Sequence, residues 1–547
     1  MNKTALIASL ALWMVPGPAL AASPAAAIAE TPVPCIESRN GRHALIVDGA
    51  PYLILGAQAN NSSNYPAMLG DIWPMLDAMN ANTLEIPIAW EQVEPVEGAF
   101  DFSYLQTLLD EARVHNKRIV LLWFGTWKNT SPSYTPAWVK LDNKRFPRMK
   151  APDGADHYVL SPLSKNTLEA DRRAFVKVIE YLRDHDRQNT VIMVQPENET
   201  GSYRVPRDYS AEGNGLFARQ IPAALARRTG KSGTWEQAYG KQAPRAFNTW
   251  YVASFVNALA EAGKAVKPLP MYVNASLAGP SNVPDPTGVA SGGPQWDVLD
   301  IWKAAAPAID FAGPDIYDRE SANVIQYLDK YNRPDNALMV PEIGNSAMYA
   351  RFFWAVIGRG GIGFSPFGMD NSGFLNYPLG AKKIDEATLG TFALPYATLA
   401  PIMRDWARIA FARPTWGTAK PDDNTPRHIV MGKWKITATW GERQFGEKEW
   451  TWLQADPPPW ADKPVGGAAV AQLSDNEYLV MGDHVRVRFT PAGGEPNGVI
   501  VSVEEGTFRN GQWVKTRVWN GDQTDYGLNF VDKPQVLKVT TGFYSSK

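Results

Sequence analysis

The sequence predicts an α/β chain in which a (β/α)8 TIM barrel over residues 41–412 is followed by an antiparallel β-sandwich over 413–547. Three observations carry this. Eight short runs, each apolar on both faces, recur between about residues 50 and 400: Tyr52–Ala57, Thr83–Ile88, Arg118–Phe124, Val191–Gln195, Pro270–Asn274, Ile309–Ile316, Ala337–Glu342 and Gly361–Phe367. Strands covered by helices on both sides read this way. Between the runs lie amphipathic stretches, with Leu105, Leu108, Leu109 and Ala112 on one helix face and Leu168, Phe175, Val178, Ile179 and Leu182 on another. After Pro414 the period changes to two, with Gly, Pro, Asn and Asp turns between segments. A doubly wound sheet is the alternative, weakened because no Gly-x-Gly-x-x-Gly turn follows the first run.

The chain begins with Met1-Asn2-Lys3, an apolar run Ala5–Val15 and the small residues Ala19-Leu20-Ala21. Residues 1–21 therefore read as a secretory signal peptide, implying a periplasmic or secreted protein, and residues 22–40 as a poorly ordered Ala/Pro-rich leader. Two insertions, Gly201–Tyr239 and Ser276–Trp296, follow the fourth and fifth runs, so they rise from the carboxyl-end face of the barrel and deepen whatever pocket lies there. Past the barrel, Arg427–Trp440, Glu477–Phe489, Gly498–Glu504, Gln512–Trp519 and Val536–Phe543 alternate as strands.

Several classes of function fall away. The 54 basic and 56 acidic side chains leave a net charge of −2, which gives no reason to expect a nucleic-acid partner or an anionic membrane. No later apolar stretch is long enough to span a bilayer. Cys35 is the only cysteine, which excludes internal disulfides and multi-cysteine metal sites. There is no His-x-x-x-His pair, no Gly-x-Ser-x-Gly elbow and no phosphate loop, so neither metal nor cofactor is expected. The oligomeric state is not written in the sequence. Twenty tryptophans suggest flat platforms for sugar rings, yet eight fall between Trp416 and Trp519, where packing of the sandwich accounts for them.

Chemistry is expected where apolar strands give way to polar residues. The fourth run ends in Glu197-Asn198-Glu199 and the seventh in Glu342. A carboxylate abutting a buried strand is costly unless it is hydrogen-bonded or useful. Strands 4 and 7 of one barrel can aim two carboxylates at each other across its mouth, the arrangement a retaining glycosidase needs. Structural ion pairing is the plain alternative. Strand alternation puts Glu197 and Glu199 on one side, so geometry alone does not choose between them. Glu94 and Asn60, at the ends of strands 2 and 1, read either as hydroxyl binders or as turn and cap residues. Trp127, Trp296 and Phe367 are the rings placed to stack on a sugar, against ordinary packing.

Gln195-Pro-Glu-Asn198-Glu199-Thr-Gly201 resembles the acid/base segment of the clan of barrel glycosidases in which Asn-Glu ends strand 4 and the nucleophile lies on strand 7. Trp90-Glu-Gln-Val-Glu94-Pro95-Val-Glu-Gly98-Ala-Phe100-Asp101-Phe102 is similar to the strand-2 segment of glycoside hydrolase family 35 β-galactosidases. Ser291-Gly-Gly-Pro294, Ile301-Trp302, Ile309-Asp310-Phe311 and Pro314-Asp315-Ile316-Tyr317 look like that family's bacterial branch with an extra β domain. The resemblance implies Glu199 as acid/base with Glu197 behind it, Glu342 as nucleophile, Tyr317 as a hydroxyl meeting the nucleophile, and Asn198 on the sugar 2-hydroxyl. It departs at Gly125-Thr-Trp127-Lys128-Asn129, where the family carries Gly-Pro-Tyr-x-x-x-Glu-Trp, and at Thr200 and Val93. The expected function is thus retaining release of terminal β-galactose from plant oligosaccharides or polysaccharide side chains. Family 42, another β-glycosidase of the clan (a β-glucosidase or an endo-glycanase) and a non-catalytic sugar-binding protein are the alternatives.

Overall fold

The computed structural model describes residues 31–442, 456–531 and 533–545. The expected signal segment 1–21 and residues 22–30 of the expected leader lie outside the described residues. All eight apolar runs are strands: β1 Ile54–Gln58, β2 Thr83–Ala89, β3 Arg118–Lys128, β4 Val191–Asn198, β5 Tyr272–Ser276, β6 Phe311–Ile316, β7 Met339–Ile343 and β8 Gly363–Pro366. They form one parallel sheet, running from β5 through β8 to β1 and on to β4. A parallel bridge between Val194 and Met271 joins β4 to β5 and closes the barrel. The helix Ser103–Val114 buries Leu105, Leu108, Leu109 and Ala112 against the barrel, and Lys165–His185 buries Phe175, Val178, Ile179 and Leu182.

The leader reading fails for residues 35–40. Cys35–Arg39 pairs antiparallel with Arg42–Val47, which pairs in turn with Ala50–Tyr52. Asn40-Gly41 and Asp48-Gly49 make the two turns, all four residues at positive φ of 55 to 75°. These are two-residue hairpin loops, whose twist suits flanking strands. Composition had masked a legible Asn-Gly signal. The sheet packs Leu45 and Val47 against Ile54, Val120, Ile192, Phe311 and Met339, and so plugs the amino-terminal end of the barrel.

The barrel interior holds one unexpected charge-bearing group. Glu85 on β2 is fully buried, accepting from Ser365 Oγ at 2.5 Å and Tyr272 OH at 3.2 Å. Burial, with Glu342 adding to it, pushes this carboxyl up to about 8 against those two donors. A carboxyl raised on folding lends stability that is present below its unfolded pKa and lost as pH rises through the folded one. Glu85→Gln is therefore expected to flatten the fall of Tm between about pH 5 and about pH 8. Thermal unfolding across pH checks this; identical slopes in the two proteins would discard it.

The helix Met403–Ala412 ends the barrel, and Thr415–Ala419 begins two antiparallel sheets. One sheet has six strands and the other four, with Trp434, Ile436, Val480, Val487 and Leu537 between them. Two expected strands are really four. Arg427–Trp440 turns at Gly432, and Glu477–Phe489 breaks at His484, whose positive φ of 44° passes the chain from one sheet to the other. Gly358 and Gly417 let the sandwich approach the barrel, since a Cβ on either would collide with the opposing backbone.

Candidate active site

A cavity of about 660 Å³ opens at the carboxyl ends of the strands. Glu199, Asp315, Tyr317 and Glu342 line its floor, with Lys128 and Asn129 from β3 and Phe367 from β8. Both insertions contribute walls. An antiparallel bridge between Ser202 and Ser291 stitches them together, and the Tyr203 hydroxyl meets Ser276 Oγ at 2.8 Å over the opening. A further segment, the loop after β8, brings Phe374, Asn376 and Leu379 to the mouth.

Glu342 reaches the cavity at the end of β7. Its Oε2 accepts from Gln58 Nε2 at 3.1 Å, and its Oε1 accepts a very short hydrogen bond from the Tyr317 hydroxyl. Tyr349 OH donates to the Tyr317 carbonyl at 2.7 Å and fixes that turn. Glu199 stands opposite. One carboxylate oxygen from each of Glu199, Asp315 and Glu342 lies within 4.8 Å of the other two. Burial and the charge of Glu342 push Glu199 up to about 7, while Lys128 and a hydrogen bond with Asp315 pull it down. Burial pushes Asp315 well above the carboxylate range, with Glu342 and Glu199 adding to it. The same spacing is what a cation would need, and among the described residues no other group of His, Cys, Asp or Glu offers it. The tyrosine hydroxyl and amide N–H that already occupy Glu342 are donors suited to a bare carboxylate.

Glu197 and Glu199, which strand alternation left together, go to different places. Both carry positive φ, 65° and 44°, so β4 leaves extended geometry where the motif begins. Glu197 turns into the protein. Its oxygens accept from Thr126 N at 3.0 Å and Trp127 N at 2.6 Å, beside Asp171, which accepts from Trp123 Nε1 at 2.8 Å. Burial raises both carboxyls, and each hydrogen-bonds the other. Gly125 makes room for the pair: a Cβ there would sit 2.6 Å from Glu197 Oε1 and 2.8 Å from Asp171 Oδ1.

Five residues expected to touch substrate do not line the cavity. Glu94 accepts from Trp90 Nε1 at 3.0 Å, Gly98 N at 2.7 Å and Arg173 Nη2 at 2.7 Å, and ties a turn to a helix. Asn60 donates from its backbone and its amide to Asp370, at 2.8 and 2.9 Å, which places its neighbour Asn61 on the cavity wall instead. Trp127 is fully buried; its Nε1 donates to the Leu160 carbonyl and its ring packs on Phe255 at 4.6 Å. Trp296 stands behind the wall, its Nε1 donating to the Gly279 carbonyl at 3.2 Å under the Lys330 ammonium. Asn198 is also fully buried, its Oδ1 accepting from Gln195 Nε2 at 3.1 Å and Asn274 Nδ2 at 3.2 Å and its Nδ2 donating to Asn129 Oδ1 at 3.2 Å. It supports the floor rather than lining it.

Sequence reasoning passed over Gln58, Asp315 and the loop after β8. Gln58 and Asp315 obey the rule that singled out Glu342, a polar residue closing an apolar run, and were visible on that ground. The loop carries only the Gly, Asn and Pro of an irregular segment, a signal of shape without chemistry.

Comparison with known proteins adds local likeness. Residues 70–255 match the glycoside hydrolase 42 family model, described as "Beta-galactosidase", and residues 392–531 match a "Domain of unknown function (DUF5597)". A β-galactosidase of Xanthomonas manihotis is 27% identical over 179 residues, which is 31% of this chain and 28% of that protein's length. The β-galactosidase structure from the psychrophilic Marinomonas ef1 aligns with a TM-score of 0.46 at 12% identity, over 66% of this chain and 62% of that one. The cold-adapted β-galactosidase from Rahnella sp. R3 gives 0.46 at 15%, over 68% and 59%. The match is to a family-42 model, where the strand-2 segment had suggested family 35. The stretch that is similar to a β-galactosidase family thus runs from residue 70 to residue 255 and includes Glu199, while Glu342 lies beyond it.

Proposed function

We propose that this chain is a retaining β-glycosidase that releases terminal β-galactose, with Glu342 as nucleophile and Glu199 as acid/base. The observation that carries the reading is the approach of the Glu199 and Glu342 carboxylates to within 4.8 Å on the carboxyl face of a (β/α)8 barrel. Retaining enzymes hold their pair about 5 to 5.5 Å apart, whereas inverting enzymes need about 6.5 Å or more to admit water between them.

In the first step a Glu342 oxygen bonds to the anomeric carbon as the glycosidic bond breaks, and Glu199 gives its proton to the departing oxygen. In the second, Glu199 takes a proton from water, whose oxygen attacks the same carbon and frees Glu342. Tyr317 and Gln58 fix the nucleophile through its two oxygens. Glu199 held at about 7 is protonated at the start of a cycle in mildly acid solution, so turnover is expected to fall as pH rises through about 7. The walls built by the two insertions favour a terminal residue over an internal one, and with it oligosaccharides or polysaccharide side chains of plant origin. The amino-terminal signal segment supports action outside the cytoplasm, and the strand-2 motif supports family 35 within the clan.

A panel of nitrophenyl β-glycosides tests the reading. The galactoside is expected to be turned over fastest. Strong activity on the glucoside with none on the galactoside would replace galactose by glucose, a reading that Lys128-Asn129 in the floor keeps in view.

A further inference from the structure

The mechanism above uses two carboxyls, but the cavity floor holds three. Asp315 on β6 is 2% exposed, and one of its oxygens lies within 4.8 Å of oxygens from both Glu199 and Glu342. Three carboxylates at this spacing, Asp315 and Glu342 buried and Glu199 half-buried, cannot all be charged beside the Lys128 ammonium, because each added negative charge repels the others through a medium that screens poorly. Glu342 takes its two hydrogen bonds as an acceptor, so the remaining protons belong to Asp315 and Glu199.

One side chain registers these two groups against each other. Asn274, in the middle of β5, accepts the Glu199 backbone N–H on Oδ1 at 2.9 Å and donates from Nδ2 to Asp315 Oδ2 at 2.7 Å. The amide thus satisfies one oxygen of Asp315; the other, Oδ1, is buried and, apart from the hydrogen bond between the Asp315 and Glu199 carboxyls, has no partner. An unpartnered buried polar atom is costly unless some stage of the working cycle satisfies it.

We propose that Asp315 is a positioning residue for Glu199: a carboxyl kept neutral between the two glutamates, whose O–H donates a hydrogen bond to the Glu199 carboxylate whenever Glu199 has given up its proton. This rests on the reading of Glu199 as acid/base. The balance is simple. Glu199 passes its proton to the leaving oxygen, Asp315 keeps its own proton while donating to the new carboxylate, and the attacking water returns a proton to Glu199. Asp315 is never itself ionised. The other groups facing Glu199 are Glu342 from β7, Lys128 from β3, Tyr317 from β6 and Tyr203 from the first insertion.

The test is the pH profile of kcat/KM for wild type, Asp315→Asn and Asp315→Val on the fastest nitrophenyl glycoside, with circular dichroism to confirm folding. Asparagine keeps a neutral donor, so its alkaline limb is expected to stay within about 0.3 unit of wild type and its rate within about fivefold. Valine fills the space without a donor, and its kcat/KM is expected to fall by about 30-fold or more, most on poor leaving groups. An alkaline limb moved about one unit towards acid by Asp315→Asn would show that a negative charge had been removed and would overturn the proposal. So would a folded valine variant within about twofold of wild type. If valine fails to fold, the asparagine profile decides alone. A wild type without turnover on any glycoside would remove the Glu199 reading and this proposal with it; an active wild type with the shifted asparagine limb removes the proposal only.

Discussion

Glu342→Gln is expected to lower kcat/KM by about 10⁴-fold or more, a loss of about 5 kcal/mol of transition-state stabilisation. An amide cannot form the glycosyl ester, and Asp315, the other carboxyl at that distance, is held neutral in the arrangement proposed above. The fold should survive. Glutamine has the same volume, its oxygen can accept the Gln58 N–H, and its NH₂ can donate to the Tyr317 oxygen, so no buried polar atom at this spot loses its partner. Rates on the galactoside, with thermal unfolding on the same preparations, separate lost chemistry from lost structure. Turnover equal to wild type would strip Glu342 of its role.

Glu199→Ala and Glu197→Ala should fail in different ways, and the contrast decides which glutamate does the chemistry. Without Glu199, glycosides with poor leaving groups are expected to lose about 10²- to 10⁴-fold, the usual worth of general acid–base catalysis, while activated aryl glycosides lose less. Azide should restore turnover and give the β-glycosyl azide, because a small anion needs no base to attack the glycosyl-enzyme. Removing Glu197 instead leaves the Trp127 N–H without its acceptor and Asp171 without its neighbour, while the Thr126 N–H keeps only Asp171. Each buried group left unpaired costs about 1 to 3 kcal/mol, so this variant should melt early and gain nothing from azide. Rescue at 197 and none at 199 would reverse the assignment.

The contrast shows where reading the sequence succeeds and where it stops. Burial on both faces leaves a strong one-dimensional trace, which is why all eight barrel strands stood out as apolar runs. The chemistry at their ends was legible for Glu342 because it is the lone carboxylate in the otherwise apolar run Met339–Ile343. It was ambiguous for Glu197 and Glu199 because backbone turns with φ of 65° and 44° interrupt the alternation, and no residue type announces such a turn when glutamate makes it. Glu94 and Asn60 misled in the other direction: a buried polar residue near a strand end serves a tryptophan N–H or an aspartate as readily as a sugar. Asp315 was legible as a polar residue in an apolar run, but its meaning depends on Asn274 and the two glutamates, which only the closed barrel brings together.

The glycine contact between Gly358 and Gly417 makes the barrel and the sandwich depend on each other. The packing there is continuous: Phe353 and Trp354 of the barrel share one apolar cluster with Ala469, Leu479, Met481 and Val536 of the larger sheet. A gene fragment ending at the last barrel helix would encode every residue of the cavity floor and still release a protein with a bare greasy flank. The sandwich is therefore part of the barrel's own core, and a side chain at Gly358 or Gly417 would pry the two apart.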